Sequence, residues 1–248
     1  MRNIRLLIEY DGTRFFGWQR QNDTRTVQGE VEAAAERTFQ VATPVIGAGR
    51  TDRGVHALGY VCNFRVDTGL TTDRIHSALQ FHLPEDIVVK EVVEAPLDFH
   101  SRFDAIARRY VYRFTTEPTA VMRHVFQPSR YRLDVAAMNR AAGVLVGEHD
   151  FTSFTPAVND VSPVCTVAHA RVDREGPLVT ITVEANRFLH NMVRIIAGTL
   201  LEIGRGRFEP ERMSAILGKR DRTAAGPTAP PRGLVLVEVR YPDSPGGP

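Results

Sequence analysis

Apolar residues along the chain switch between a period of two and a helical period, and these switches predict its elements. Residues 4–10 read as a strand, closed by the turn residues Asp11 and Gly12. Val27, Val31, Ala34, Ala35 and Phe39 recur at helical spacing and predict a helix over 27–39. Val45 and Ile46 form a short strand before a glycine-rich loop. Tyr60, Cys62, Phe64 and Val66 alternate with Asn63 and Arg65, the mark of a half-buried strand. Ile75, Ala78 and Leu79 mark a helix that stops before Pro84, and 87–93 is a further strand.

The pattern then restarts. Residues 105–115 read as a long strand, and Val135, Met138, Ala142, Leu145 and Val146 as a helix. Two strands follow over 164–172 and 178–184, with Glu175, Gly176 and Pro177 in the turn region between them. Residues 188–203 read as a helix apolar on most sides, a second helix begins near Pro210, and 234–241 is the last strand. The order is β-α-β-β-α-β, twice, each set matching the split βαβ unit. The expected fold is α+β: two ferredoxin-like (RRM-like) lobes with antiparallel sheets flanking a central cleft, where ligands usually bind. The first lobe spans 1–104 and the second 105–248, with a flexible Pro/Gly-rich tail after 242.

Composition narrows the classes. With 43% hydrophobic and 24% charged residues, the chain is globular, and 248 residues make one or two domains. The net charge of +2 excludes a polycation but not a local basic cleft. Only Lys90 and Lys219 are lysines; the other basic residues are arginines. Codon bias explains such an excess, and so does a phosphate-binding surface, because guanidinium forks match phosphate oxygens in pairs. No apolar run approaches the ~18 residues of a membrane span. The first ten residues lack the continuous apolar core of a signal peptide. Cys62 and Cys165 sit in strand-like runs with no CxxC, so free thiols in a reducing cytoplasm are expected. The histidines show no metal-ligand spacing, and no metal site is expected.

Four stretches carry candidate chemistry. Residues 47–57 (GAGRTDRGVHA) form a loop longer than a hairpin needs, with Asp52 between Arg50 and Arg53. A carboxylate beside a guanidinium favours its ionised form and serves as nucleophile or base; the plainer reading is a solvated turn with surface ion pairs. The Walker pattern is absent. In 186–198, residues Arg187, His190, Asn191, Arg194 and Gly198 fall on one face of the expected helix. That stripe either meets an anion through Arg194 or faces solvent. Between 101 and 132 arginines outnumber acids, and Arg108, Tyr110, Tyr112 and Phe114 share one side of a strand. Aromatics among arginines suit base stacking beside a phosphate track; they are as readily ordinary strand aromatics. The fourth stretch, 225–234, is a proline-stiffened loop that says little alone.

Taken together, these stretches resemble the anticodon stem-loop tRNA pseudouridine synthases, over about residues 4–241. The resemblance rests on Tyr10-Asp11-Gly12-Thr13, Gly17-Trp18-Gln19-Arg20-Gln21, Thr26-Val27-Gln28-Gly29 and Gly49–Ala57. It continues through Arg109-Tyr110-Val111-Tyr112, His149-Asp150-Phe151, Phe188–Arg194 and Gly233-Leu234-Val235-Leu236. One departure is Tyr60, where the family carries Gln; it is expected to alter local RNA contacts without removing the chemistry.

The resemblance implies a cofactor-free isomerase converting uridine to pseudouridine at tRNA positions 38, 39 and 40, acting as a homodimer in the cytoplasm on tRNA rather than DNA or a membrane. It implies that Asp52 is the essential aspartate, that Tyr110 lies against the target base, that Arg194 pairs with the aspartate, and that Arg50 helps extrude the base. Leu234 falls in a matching motif and is expected to bind substrate. Arg14, Arg20, Arg53, Arg108, Arg109 and Arg187 are candidates for a phosphate track. A non-catalytic RNA-binding protein, a synthase acting on another RNA, and an unrelated small-molecule enzyme are the rival readings.

Overall fold

The computed structural model describes residues 1–156 and 162–242; the tail expected to be flexible lies outside the described residues from 243 on. The elements run β1 (Arg2–Tyr10), α1 (Val27–Phe39), β2 (Ile46–Gly47), β3 (His56–Val66), α2 (Thr72–His82) and β4 (Ile87–Ala95). They continue as β5 (Ala107–Thr115), β6 (Gln127–Pro128), α3 (Val135–Gly143), β7 (Gly147–Asp150), β8 (Val164–Glu175) and β9 (Leu178–Ala185). The last three are α4 (Met192–Gly204), α5 (Arg212–Lys219) and β10 (Leu234–Arg240). The chain divides into two compact units. One holds Met1–Ile106 and the segment from Leu236 onward; the other holds Ala107–Val235. Residues from Leu236 on therefore group with the first unit, not with the second as the sequence suggested.

In the first unit, β1 pairs antiparallel with β3 on one side and β4 on the other, and β2 adds to β3. The register sets Ile4 opposite Phe64, Leu6 opposite Cys62 and Ile8 opposite Tyr60, and all six are fully buried. Burial pushes the Cys62 thiol pKa up, which keeps it an inert thiol. The helices α1 and α2 start where threonines cap them: Thr26 Oγ1 accepts from the Gly29 amide (3.3 Å) and Thr71 Oγ1 from that of Arg74 (3.4 Å). They bury Val27, Val31, Ala34 and Ala35, and Ile75 and Leu79, on their apolar stripes.

The alternation in β3 predicted one solvated face, and this is wrong for Asn63, which is fully buried. Its amide donates to Asn3 Oδ1 (2.9 Å), and its carbonyl accepts the Ser101 amide (3.0 Å). Asn3 in turn donates to the carbonyls of Pro96 (2.8 Å) and Phe99 (2.9 Å), and the Tyr241 phenol donates to that of Ser101 (2.7 Å). The segment after β4 thus covers this face, and two asparagines satisfy backbone groups that water would otherwise serve.

In the second unit the sheet order is β5-β9-β8-β7 with antiparallel neighbours. The two-residue β6 runs parallel to β5, a departure from the wholly antiparallel sheets expected. Tyr112, Phe114, Val179, Ile181 and Val183 form the core together with Ile195, Ile196 and Leu200 of α4. Asp134 caps α3 by accepting the Ala137 amide (2.9 Å). That helix ends at Gly143, before the expected Leu145 and Val146.

The larger correction is at α4. It begins at Met192, not at 188, because Asn191 adopts a left-handed backbone (φ +60°) that no helix interior accommodates. Asparagine tolerates this conformation better than most residues. Arg187, His190 and Asn191 therefore precede the helix, and the five-residue polar stripe reduces to Arg194 and Gly198.

Replacing Asn63 with Ala should orphan the Ser101 amide and the Asn3 carbonyl, costing about 2–4 kcal/mol. The urea midpoint checks this; a loss below about 0.5 kcal/mol would mean that water replaces the amide.

Candidate active site

The loop from Ala48 to Val55 joins β2 to β3, and its backbone is tied down on both sides of Asp52. The hydroxyl of buried Thr51 hydrogen-bonds the phenol of Tyr10 at the end of β1 (2.8 Å). The Thr51 carbonyl accepts the Trp18 amide (3.2 Å), the Asp52 carbonyl accepts the Val55 amide (3.1 Å), and Gly54 donates to the Phe15 carbonyl (3.2 Å). Beneath the loop, Tyr60 donates to the Gly49 carbonyl (2.5 Å) and stacks on Trp18 (4.0 Å between centroids, 26° between planes). Tyr60 is fully buried, so it buttresses the loop from inside, and the altered RNA contacts expected of this departure would arise through the loop and not from an exposed Tyr60 surface.

Gly17 is the tight point of this packing. Its φ is +92°, and a Cβ there would sit 2.5 Å from the Thr51 carbonyl oxygen. Only glycine lets the segment before α1 lie against the aspartate loop.

Asp52 is half-buried at the loop's centre, with exposed Arg50 and Arg53 on either side. Neither pairs with it. The Arg53 guanidinium lies over the Phe16 ring (4.1 Å), and Arg50 makes no ion pair among the described residues. Position beside Asp52 in the sequence was therefore a poor guide to ion pairing.

Tyr110 and Arg194 belong to the second unit. Tyr110 lies on β5 opposite Val183, half-buried, with its ring edge-on to Phe188 (5.1 Å, 88°). Arg194 sits in the first turn of α4. Its Nε donates to the Ala229 carbonyl (2.8 Å) and its Nη1 to Asn191 Oδ1 (2.6 Å), while its own carbonyl accepts the Ala229 amide (3.0 Å). The proline-rich loop, silent in the sequence, is therefore what orients Arg194. It can approach because Gly198 and Gly226 have no side chains; a Cβ on Gly198 would collide with the Pro227 carbonyl. Arg194 also lies close enough to Tyr112 to pull its phenol pKa down, against a larger upward push from burial. Leu234 is buried at the start of β10.

The arginines considered for a phosphate track are mostly engaged already. Arg14 pairs with Glu85 (3.1 Å) and Asp86 (3.3 Å), Arg20 with Glu32 (2.9 Å), and Arg109 with the buried carboxylate of Glu184 (2.7 Å). Arg108 donates to the Asn186 carbonyl (2.9 Å), and Arg187 to the carbonyls of Val164 and Ser162. Tyr10, Trp18, Thr51 and Tyr60 stood in or beside the motifs read from the sequence, but their packing around the loop was not legible there, because that clustering has no periodic signature. Among the described residues, no group of three His, Cys, Asp or Glu is placed to hold a metal, and no helix is long and apolar enough to cross a membrane.

Residues 6–104 and 141–242 match the family model described as tRNA pseudouridine synthase. The chain belongs to that family. A tRNA pseudouridine synthase A from Caldicellulosiruptor bescii is 44% identical over 244 residues, covering 97% of this chain and 100% of the relative. That from Brevibacillus brevis is 45% identical with the same coverage, and one from Chloroflexus aurantiacus 46% identical over 98% of this chain and 90% of its own length. A solved Cbf5-Nop10-Gar1 complex aligns over 94% of this chain and 58% of that chain at 9% identity, with a TM-score of 0.37. The aspartate loop lies inside the first matched segment and Arg194 inside the second; Tyr110 lies between them.

Tyr60→Phe should keep the Trp18 stack and lose the bond to Gly49, costing about 1 kcal/mol. Tyr60→Ala should cost about 3–5 kcal/mol by leaving a cavity. Urea unfolding distinguishes the two; a Phe variant as stable as wild type would show that the hydroxyl does not hold the loop.

Proposed function

We propose that this chain carries out its family's reaction, isomerisation of tRNA uridine to pseudouridine, at positions 38, 39 and 40 of the anticodon stem-loop, with Asp52 as the essential group. The observation that carries the reading is Asp52 itself. It lies at the centre of a loop within the family match, half-exposed, with the backbone pinned on both sides. A carboxylate so held is positioned without cost at the moment of reaction.

The chemistry is atom-balanced within the substrate. The C1′–N1 bond breaks, a C1′–C5 bond forms, the C5 hydrogen leaves as a proton and N1 gains one. A single carboxylate serves because the base is recaptured and no water need be activated, in contrast to glycoside hydrolysis with its two carboxylates. Asp52 acts by attack at C1′, by attack at C6 of uracil, or by removing a sugar proton. The target must first leave its stack, at a few kcal/mol. Arg50, exposed and free of ion pairs among the described residues, fills the space the base vacates. Tyr110 lies against the extruded base, Arg194 partners the aspartate, and Leu234 helps to bind the uridine. Arg53 and the other arginines named above contribute what electrostatic attraction their existing partners leave to them.

The same reading takes the two units as ferredoxin-like lobes flanking a central cleft, and the enzyme as a cytoplasmic homodimer. The order β4-β1-β3, with β2 on β3, supports this for the first unit.

Unmodified tRNA labelled with tritium at uracil C5 tests the chemistry. Wild type should release tritium, and Asp52→Ala should release none while binding tRNA within about threefold. Release by the Asp52→Ala protein would remove Asp52 from the mechanism. Mapping pseudouridine in the product should place it at 38, 39 or 40; modification elsewhere would favour a synthase of different specificity.

A further inference from the structure

The second unit contains an arginine-lined groove used by none of the residues assigned above. The connection from β6 to α3 carries Arg130, Tyr131 and Arg132 in succession. With Arg174 near the end of β8 they line a cavity of about 320 Å³. An adjoining cavity of about 540 Å³ shares Arg132 and Arg174 and adds Arg205, which follows α4. Four guanidinium groups from three separate stretches of chain thus converge on one concave surface.

The charges there are poorly compensated. Asp134 is the one carboxylate lining the two cavities, a single negative charge against four guanidinium groups, and one of its oxygens also accepts the Ala137 amide that opens α3 (2.9 Å). Arg130 and Arg132 are exposed, and among the described residues they pair with no carboxylate. Arg174 donates to the Leu133 carbonyl (3.2 Å), which leaves its charge unbalanced. Arg205 is the exception. It pairs with Glu202 (2.8 Å) and lies over the Tyr131 ring (3.6 Å), fixing that half-exposed ring at the rim. Like charges gathered in a concavity repel one another and raise the local potential, and a polyanion relieves that repulsion. Guanidinium forks match phosphate oxygens in pairs, and a fixed ring beside them offers a face for a base.

We propose that this groove binds the ribose-phosphate backbone of the tRNA substrate through Arg130, Arg132 and Arg174, apart from the residues that handle the reacting uridine. The inference rests on tRNA being the substrate. Its residues Arg130 and Arg132 lie between the two segments that match the family model. They also belong to the arginine-rich region from 101 to 132. There the sequence pointed to the strand aromatics, whereas the structure puts the uncompensated charge at the downstream end.

Filter binding of unmodified tRNA at a series of salt concentrations, with tritium release from the same tRNA, tests the proposal. Arg130→Ala/Arg132→Ala should weaken binding on the order of tenfold at about 0.1 M salt and make the slope of log K against log salt shallower by about 1.5. KM should rise with kcat unchanged. Arg174→Gln, on β8, should lower the slope by about 0.8 and serves if the double variant fails to fold. A control of equal charge loss on α1 and α2, Arg37→Ala/Arg74→Ala, should leave the affinity within about twofold. Unchanged affinity and slope in both groove variants, or an equal loss in the control, would overturn the groove. Absence of tritium release by wild type would instead overturn the isomerase reading, while a groove-dependent salt slope would still establish the groove as an RNA site.

Discussion

The hydrogen bond between the Tyr10 phenol and the Thr51 hydroxyl joins the aspartate loop to the central strand β1, and the local geometry depends on it. A loop of this length carries backbone donors and acceptors that the sheet does not serve, and burying them unpaired would cost more than the loop could recover. Here Trp18, Phe15 and Tyr60 supply partners, and the loop is thereby held in one conformation. The rigidity of Asp52 is a by-product of satisfying its neighbours' backbones. Gly17 is part of the same constraint, since any side chain there would push the Trp18 segment off the loop.

A parallel arrangement fixes Arg194 in the second unit. Asn191 breaks the chain direction with a left-handed backbone, so α4 starts two residues before the arginine and places it in the first turn. The Ala229 peptide then holds Arg194 twice, through its carbonyl and its amide. Close approach of that loop needs small residues on both sides, supplied by Gly198 and Gly226. In the first unit the candidate sits on an irregular loop that neighbouring segments pin; in the second it sits in the first turn of a helix, and an irregular loop pins it.

The distribution of arginine follows from the same physics. Arg109 neutralises a buried carboxylate, and Arg14 and Arg20 tie surface segments together. These are structural uses of a residue that forms forked hydrogen bonds. Arginine content therefore said little about binding, whereas Arg50 in the loop and Arg130 and Arg132 in the groove are among the arginines that pair with no carboxylate among the described residues, and their charge is available to a ligand.

Helix positions were legible in the sequence wherever burial is one-sided, because an apolar stripe at 3.6-residue spacing has one physical solution: α1 falls on 27–39 as expected. Strand β3 was located correctly but its second face was not, because asparagine reads as polar whether it meets water or a buried backbone. The motif around Asp52 and the family were also legible, since both depend on residue identity and order. The start of α4, the buttress role of Tyr60, the docking of the proline-rich loop and the groove were not. Each arises from contacts between residues far apart in the chain, where the partner, not the residue, decides what a side chain does. Sequence alone determined the chemistry this chain carries; tertiary packing decided which of its polar groups are spent on the fold and which remain for a substrate.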